Sequence, residues 1–390
     1  MTDKWDFRAF TAEEHEDRLL KARSLLETAG IGACVLTSPE LLYYFTGYEA
    51  HTHHAIGAQA LVLPTDNQDP VLLLRDGDLP QAEETLVVGR VKAFRLGATK
   101  LSDLIHDTLA ECGTRKSIVG LDLSGPTMNG TLAKALEERL GNCTLVDCWH
   151  LLGRLRTILS PREIAYLHEA TGYANNGIDA FYRAARPGIS EIELAAEIEY
   201  AMRSAGSDYP AVPTWMASGP RGYCQHAMAS PRRLEAGDLV HAEFAGVARR
   251  YHSVTMGSLT LGSPSRRIRD MEHGAITAFQ AGLEAARIGG RIGDVEIAYQ
   301  RALDDLGLGD CYPMRFGVGL SAAYPPVWEN QITIQVECDD VFEPGMAFYI
   351  HSSMQSMGER TGMLLGGSFL MTQTGPERLD KAPIELVVID

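Results

Sequence analysis

The stretch "VHAEFAGVARRYHSVTMGSLTLG", residues 240–262, decides how this chain is read. It has the pattern of two strands joined by a short turn. The apolar first run reaches Phe244, Ala245-Gly246 and Arg249-Arg250 supply a turn and a polar break, and Ser258–Leu261 alternates before Gly262. One residue sits oddly in it. Glu243 puts a carboxylate in the middle of an apolar strand, where burial is costly without a partner or a task.

Outward from this hairpin the chain alternates and then changes character. Residues 12–29 carry helical periodicity, with Leu19, Leu20, Leu25 and Leu26 grouped and Gly30 as a C-terminal stop. "GACVLTSPELLYYFTGY" reads as strand, turn and short helix, and "QALVLPTDNQDPVLLLRDGD" as two strands about a turn. "LSDLIHDTLAECG", "KSIVGLDLS", "NGTLAKALEERLGN" and "CTLVDCWHLLGRLRTI" read as helix, strand, helix, and a strand entering a linker. Such alternation predicts an α/β domain over residues 1–155. A second domain, 156–390, opens with two capping boxes: Ser160 with Pro161 and Glu163, then Ser190 with Glu193. After them strands dominate, interrupted by two amphipathic helices.

Composition bounds the function. The chain has 390 residues, 45% hydrophobic and 22% charged, and a net charge of −16. That length suits two or three domains, and the acidity argues against nucleic acid or an anionic membrane as partner. No run approaches the ~20 apolar residues of a membrane span, and the charged N-terminal segment lacks an apolar signal core. Seven cysteines, an odd number without a CxxC pair, read as reduced thiols. A cytoplasmic protein is expected.

"RLRTILSPREIAYLHEA" (154–170) resembles the domain-joining segment of the creatinase/prolidase family, with Leu159 where that family usually has lysine. "ARPGISEIELAAEIE", "EAGDLVHAEFAG", "FEPGMAFYI" and "GSFLMTQTGPERL" continue the match in order across the chain. The resemblance implies an α+β protein: an N-terminal α/β domain and a C-terminal pita-bread domain, whose strongly curved antiparallel sheet encloses the active site. It also implies a homodimer, with the partner's N-terminal domain near that site.

Metal-dependent members of the family use two aspartates, a histidine and two glutamates to hold two ions that activate a bridging water. On this chain those places fall on Glu243, Val254, Phe316 in "RFGVG", His351 after "GMAFYI", and Gly366 in "LLGGSF". Valine, phenylalanine and glycine side chains cannot ligate, so neither a metal nor another cofactor is expected. The metal-free ectoine hydrolase and creatinase branch is similar instead, through "AEFAG" (242–246), "RYH" (250–252) and "YPPVWEN" (324–330). The departure from ectoine hydrolases is the "GGSF" segment, where a late glutamate is replaced by glycine.

The expected activity is metal-independent hydrolysis of a C–N bond in a small polar compound, cyclic or amidine-like. Such chemistry needs a base or nucleophile, a proton donor for the leaving nitrogen, and stabilisation of the tetrahedral intermediate. Glu243 is the candidate base or nucleophile. His226, in "GYCQHAMASPRR", corresponds to the family's loop histidine and is the candidate proton shuttle. His252 and His351 are further catalytic candidates, and Tyr251 a donor to an oxyanion. Trp328 beside Glu329 would suit a delocalised cation. Arg221 or Arg315 would clamp a substrate carboxylate. Tyr48 and His54, around "GYEAHTHHAIGAQ" (47–59), would contact substrate across the dimer.

Three alternatives stand beside this reading. One is a metal-dependent Xaa-Pro peptidase-like enzyme whose site is rebuilt from Glu243, His351 and His226 or His252. Another is a lyase, although the lyases of this fold keep metal ligands absent here. The last is an inactive binding protein, suggested by Phe316 and Gly366.

Overall fold

The computed structural model describes residues 7–49, 59–114, 118–311 and 317–390. His54, Arg315 and Phe316 lie outside the described residues. The chain divides into two compact units, Met1–Arg156 and Thr157–Asp390. None of the seven cysteines is in a disulfide. Among the described residues no helix is long and apolar enough to cross a membrane.

The first unit runs α1 (Ala12–Thr28), β1 (Ile31–Leu36), α2 (Pro39–Thr46), β2 (Gln59–Pro64), β3 (Val71–Arg75), α3 (Leu79–Thr85), β4 (Arg90–Phe94), α4 (Leu101–Glu111), β5 (Ile118–Leu121), α5 (Gly130–Arg139), β6 (Thr144–Asp147) and α6 (Trp149–Gly153). Its sheet has the order β4-β3-β2-β1-β5-β6, parallel except where β2 lies antiparallel to β1 and β3. Cys34 and Leu36 join one core while Ala33 and Val35 join another. Both faces of β1 are thus covered, which explains why its sequence is continuously apolar rather than alternating.

In the second unit α7 (Pro161–Ala184) and α8 (Glu191–Ser204) both begin with the expected capping boxes. The strands are β7 (Trp215–Ser218), β8 (Leu239–Ala248) and β9 (Tyr251–Leu261), then, after α9 (Arg266–Ala285) and α10 (Gly293–Asp305), β10 (Gly317–Leu320), β11 (Glu329–Ile334), β12 (Ala347–Ser356), β13 (Thr361–Thr372), β14 (Gly375–Arg378) and β15 (Val387–Ile389). The main path of the sheet is β11-β10-β12-β13-β9-β8-β7, with β14 on β13 and β15 on β9.

Side-chain parity assigns the two faces. Phe244 meets Gly177 of α7, and a Cβ on Gly246 would strike Ala170 O and Ala174 N of the same helix. Ser253 Oγ accepts from Thr171 Oγ1 at 2.9 Å, also on α7. Ser352 Oγ donates to Ala275 O of α9 at 2.8 Å. These residues mark the helix-covered face. His241, Glu243 and Ala245 of β8, His252, Val254 and Met256 of β9, and Tyr349 and His351 of β12 therefore share the other face.

That face is concave. β7 and β11 end the strand order, yet the rings of Trp215 on β7 and Trp328 just before β11 lie 5.5 Å apart. Only a sheet curled until its two edges approach satisfies both facts. The hairpin turn helps to hold the curl. Arg249 and Arg250 both have positive φ, 48° and 70°, as a two-residue hairpin turn requires. Buried Arg250 then donates from Nε (3.1 Å) and Nη2 (2.9 Å) to Ala323 O and from Nη1 to Tyr209 O (2.7 Å). Strand β8 consequently continues to Ala248, past the Ala245-Gly246 turn expected from sequence. Gly246 is there because α7 passes too close for a side chain, a common reason for glycine within a strand.

Tyr251 belongs to the helix side. Its hydroxyl donates to Glu163 Oε1 at 2.5 Å, and its ring stacks on Tyr166 at 6.0 Å. Glu163 Oε2 meanwhile accepts from Ser160 N at 2.7 Å, so one carboxylate caps α7 and pins the hairpin to it. Tyr251→Phe removes a donor from a buried carboxylate, and we expect a stability loss of about 1–3 kcal/mol in urea unfolding. Turnover per folded molecule should stay unchanged; a large fall in turnover without loss of stability would return Tyr251 to the active face.

Candidate functional site

A single register row crosses the concave face. Trp215 pairs with Glu243, Glu243 with Met256, Met256 with Gly366, and Gly366 with His351. Glu243 and His351 thus lie at the same height on strands three steps apart. Strands are spaced by ~4.8 Å, so a flat sheet would separate β8 from β12 by ~14 Å. Yet Tyr349 Oη donates to Glu243 Oε1 at 3.1 Å. Curvature closes that gap, and Gly366 leaves no side chain in the way.

Burial sharpens the chemistry. Glu243 is 6% exposed and Tyr349 2%. Burial, with the Glu243 charge second, pushes the Tyr349 phenol well above its ordinary pKa. Tyr349 therefore stays protonated and acts as a donor. The His351 ring lies 5.4 Å from that of Tyr349. On the other side of the row the ring of the exposed His226 lies tilted against that of Trp215, centroids 4.2 Å apart, and Trp215 meets buried Trp328 edge-on. Glu329 follows as the first residue of β11, half-buried and paired with Leu320. The structure brings Glu243, His351, His226, Trp328 and Glu329 onto or beside one concave face.

Other candidates are placed elsewhere. Tyr251 points to α7, as described. His252 shares the concave parity, but Nε2 accepts from Ala211 N at 2.9 Å and Nδ1 donates to Arg250 O at 2.8 Å. Both nitrogens are committed to backbone, and burial holds its pKa well below 6.5, so it is a neutral fastener rather than a shuttle. Arg221 pairs with the buried Glu191 carboxylate and bonds Ser230 Oγ and Met228 O, leaving no fork for a substrate. Tyr48 is 1% exposed in the apolar core of the first unit. Aromatic character marked it in the sequence, and the core explains it.

Sequence reading passed over Trp215, Tyr349 and His241. Strand parity was the available signal: Tyr349 lies two residues before His351, and His241 two before Glu243. His241 is fully buried, with Nε2 donating to Gly222 O at 3.0 Å. Burial pushes its pKa down from 6.5 to about 4.

Residues 165–373 match the model of metallopeptidase family M24, and residues 18–158 that of the creatinase/prolidase N-terminal domain. The chain belongs to family M24. It is 25% identical over 398 residues to the ectoine hydrolase of Halomonas elongata, covering 97% of this chain and 98% of that protein. It is 24% identical over 375 residues to a Xaa-Pro dipeptidase of Pyrococcus furiosus, covering 95% and 100%. The crystal structure of a Thermococcus sibiricus prolidase superposes with a TM-score of 0.88 at 19% identity, over 96% of this chain and 99% of that one. The curled antiparallel sheet is thus the pita-bread fold of M24, and the protein is a hydrolase of that family.

The family's name implies metal, and this chain's residues do not fit a metal pair. Val254 and Gly366 offer no donor atom, and Glu243 Oε1 already accepts from Tyr349. Among the described residues no three His, Cys, Asp or Glu side chains gather into a ligating group.

The buried histidines set an acid limit on stability. The folded pKa of His241, about 4, lies below its ordinary 6.5, so the unfolded chain binds the extra proton between these values. The stabilising contribution is full above about pH 6.5 and is lost as pH falls towards 4, on the order of 3 kcal/mol for this group. We expect the urea midpoint to fall across that window, and to fall less steeply in His241→Gln. Equal slopes in both proteins would contradict the assignment.

Proposed function

We propose that this M24 hydrolase opens a C–N bond of a small, polar, cyclic or amidine-like compound without a metal. The observation that carries the reading is the Tyr349–Glu243 hydrogen bond, on a face where the family resemblance puts Val254 and Gly366 at the metal-ligand positions. Glu243 takes a proton from water as the water oxygen bonds to the amidine carbon; if its carboxylate attacks that carbon instead, water cleaves the resulting Glu243–carbon ester bond after the amine has left and so restores the carboxylate. The C–N bond then breaks, and the departing nitrogen takes a proton from His226, whose ring is held beside the row by Trp215. Tyr349 orients the carboxylate. The paired indoles of Trp215 and Trp328, with Glu329 adjacent, suit the delocalised positive charge of an amidinium.

Similarity to the ectoine hydrolase supports this substrate class, and ectoine is the first compound to assay. The comparably similar Xaa-Pro dipeptidase favours a second reading, a metal-dependent peptidase using Glu243, His351 and His226. Single-turnover kinetics separate the two. Glu243→Gln, nearly isosteric, should keep the fold and bind ectoine while turnover falls by about 10² to 10⁴-fold. EDTA should leave the wild-type rate unchanged. Loss of activity in EDTA with recovery in Mn²⁺, or cleavage of Xaa-Pro dipeptides in Mn²⁺ alone, would select the peptidase. The family resemblance also supports a homodimer; sedimentation at micromolar concentration should find one, and a monomer counts against it.

A further inference from the structure

His241 lies two residues before Glu243 on β8, with the same face parity. Its Nε2 is 3.0 Å from Gly222 O. A carbonyl oxygen only accepts, so Nε2 carries the hydrogen, and in the neutral ring Nδ1 is a bare acceptor. That Nδ1 is buried and has no hydrogen-bond partner among the described residues. Its register neighbours do not meet the need. Ala217 has no polar side chain, and Ser258 Oγ is committed to the backbone of Leu364, donating to O and accepting from N at 2.9 Å each. The Gly222 bond also locks the ring's orientation, so the acceptor is held in place. An unmet buried acceptor carries a desolvation cost that a donor supplied by a ligand removes.

We infer that His241 is a substrate-binding residue, whose Nδ1 accepts a hydrogen bond from an N–H of the amidine or amide that Glu243 addresses. The inference rests on the proposed reading of the concave face and adds a specificity element to it. Residues i and i+2 of a strand are about 7 Å apart, a distance one planar N–C–N group spans with a hydrogen bond at each end. A neutral acceptor beside a carboxylate selects ligands with two N–H donors. It discriminates against an isosteric ester or lactone, whose oxygen would face Nδ1 lone pair to lone pair. Gly222 opens the segment that leads to His226, so His241 both reads the ligand and supports the loop bearing the proposed proton donor.

Two variants separate these roles. His241→Gln keeps an N–H near Nε2 for Gly222 O but loses the acceptor at Nδ1. His241→Asn keeps a carbonyl oxygen near Nδ1 but loses the Gly222 bond. Titration calorimetry at neutral pH uses ectoine and acetamidine as probes on the wild type and both variants. We expect His241→Gln to melt like the wild type and to bind ectoine ~10-fold more weakly, the loss of one hydrogen bond. His241→Asn should melt lower yet bind within ~3-fold of the wild type. Wild-type affinity in His241→Gln would overturn the inference, as would binding of neither probe to the wild type. Should His241→Asn fail to fold, the His241→Gln affinity decides alone. Because affinity is read without turnover, full activity in Glu243→Gln alongside weakened binding in His241→Gln would sink only the assignment of Glu243.

Discussion

The concave face depends on one buried guanidinium. Arg250 sits at the tip of the β8–β9 hairpin, 0% exposed, between the rings of Tyr209 at 4.0 Å and Tyr324 at 4.7 Å. Its donors reach two carbonyls from distant segments, and its own carbonyl accepts from Ala323 N at 3.0 Å. Two non-glycine residues at positive φ cost roughly 1–2 kcal/mol each, and Asn-Gly would avoid most of that cost. Asn-Gly could not reach Tyr209 and Ala323. The strained turn persists because its side chain ties the middle of the sheet to the segment leading into Trp328 and β11. That tie helps to hold the curl across which Tyr349 reaches Glu243.

Much of this was legible in the sequence, and the misses share a cause. Both capping boxes and most helices could be read because they are local: a hydroxyl, a carboxylate three residues on, and a period of 3.6. Glu243 stood out because a carboxylate in an apolar strand is locally anomalous. Tyr251, His252 and Arg221 also looked chemical, but their partners are Glu163, Ala211 and Glu191, distant in sequence. No spacing announces such partners. The expected turn at Ala245-Gly246 failed similarly, since the glycine answers to a helix passing behind the strand rather than to a bend.

Strand parity was the cue left unused. Once Glu243 is placed inward, alternation places His241 with it, and the same rule joins Tyr349 to His351. Register across strands then cannot come from a single sequence. The row Trp215–Glu243–Met256–Gly366–His351 depends on which strands neighbour and at what offset. That is why the two tryptophans, far apart in the chain, were not seen as a pair.

If Val254 and Gly366 occupy the family's ligand positions, as the sequence resemblance implies, the electrostatics of the face change as a whole. A pair of metal ions would supply several positive charges to balance surrounding carboxylates. Here Val254 and Gly366 offer no donor atom, and what faces Glu243 is a phenol that burial keeps neutral. A hydrogen bond from a neutral donor orients a carboxylate while leaving it far more basic than a metal would. On the proposed reading, the missing positive charge arrives with the substrate: an amidinium against indole faces and Glu329 restores the balance only when bound. Binding and activation of the leaving nitrogen are then one event, because the charge that completes the site is on the group whose C–N bond breaks.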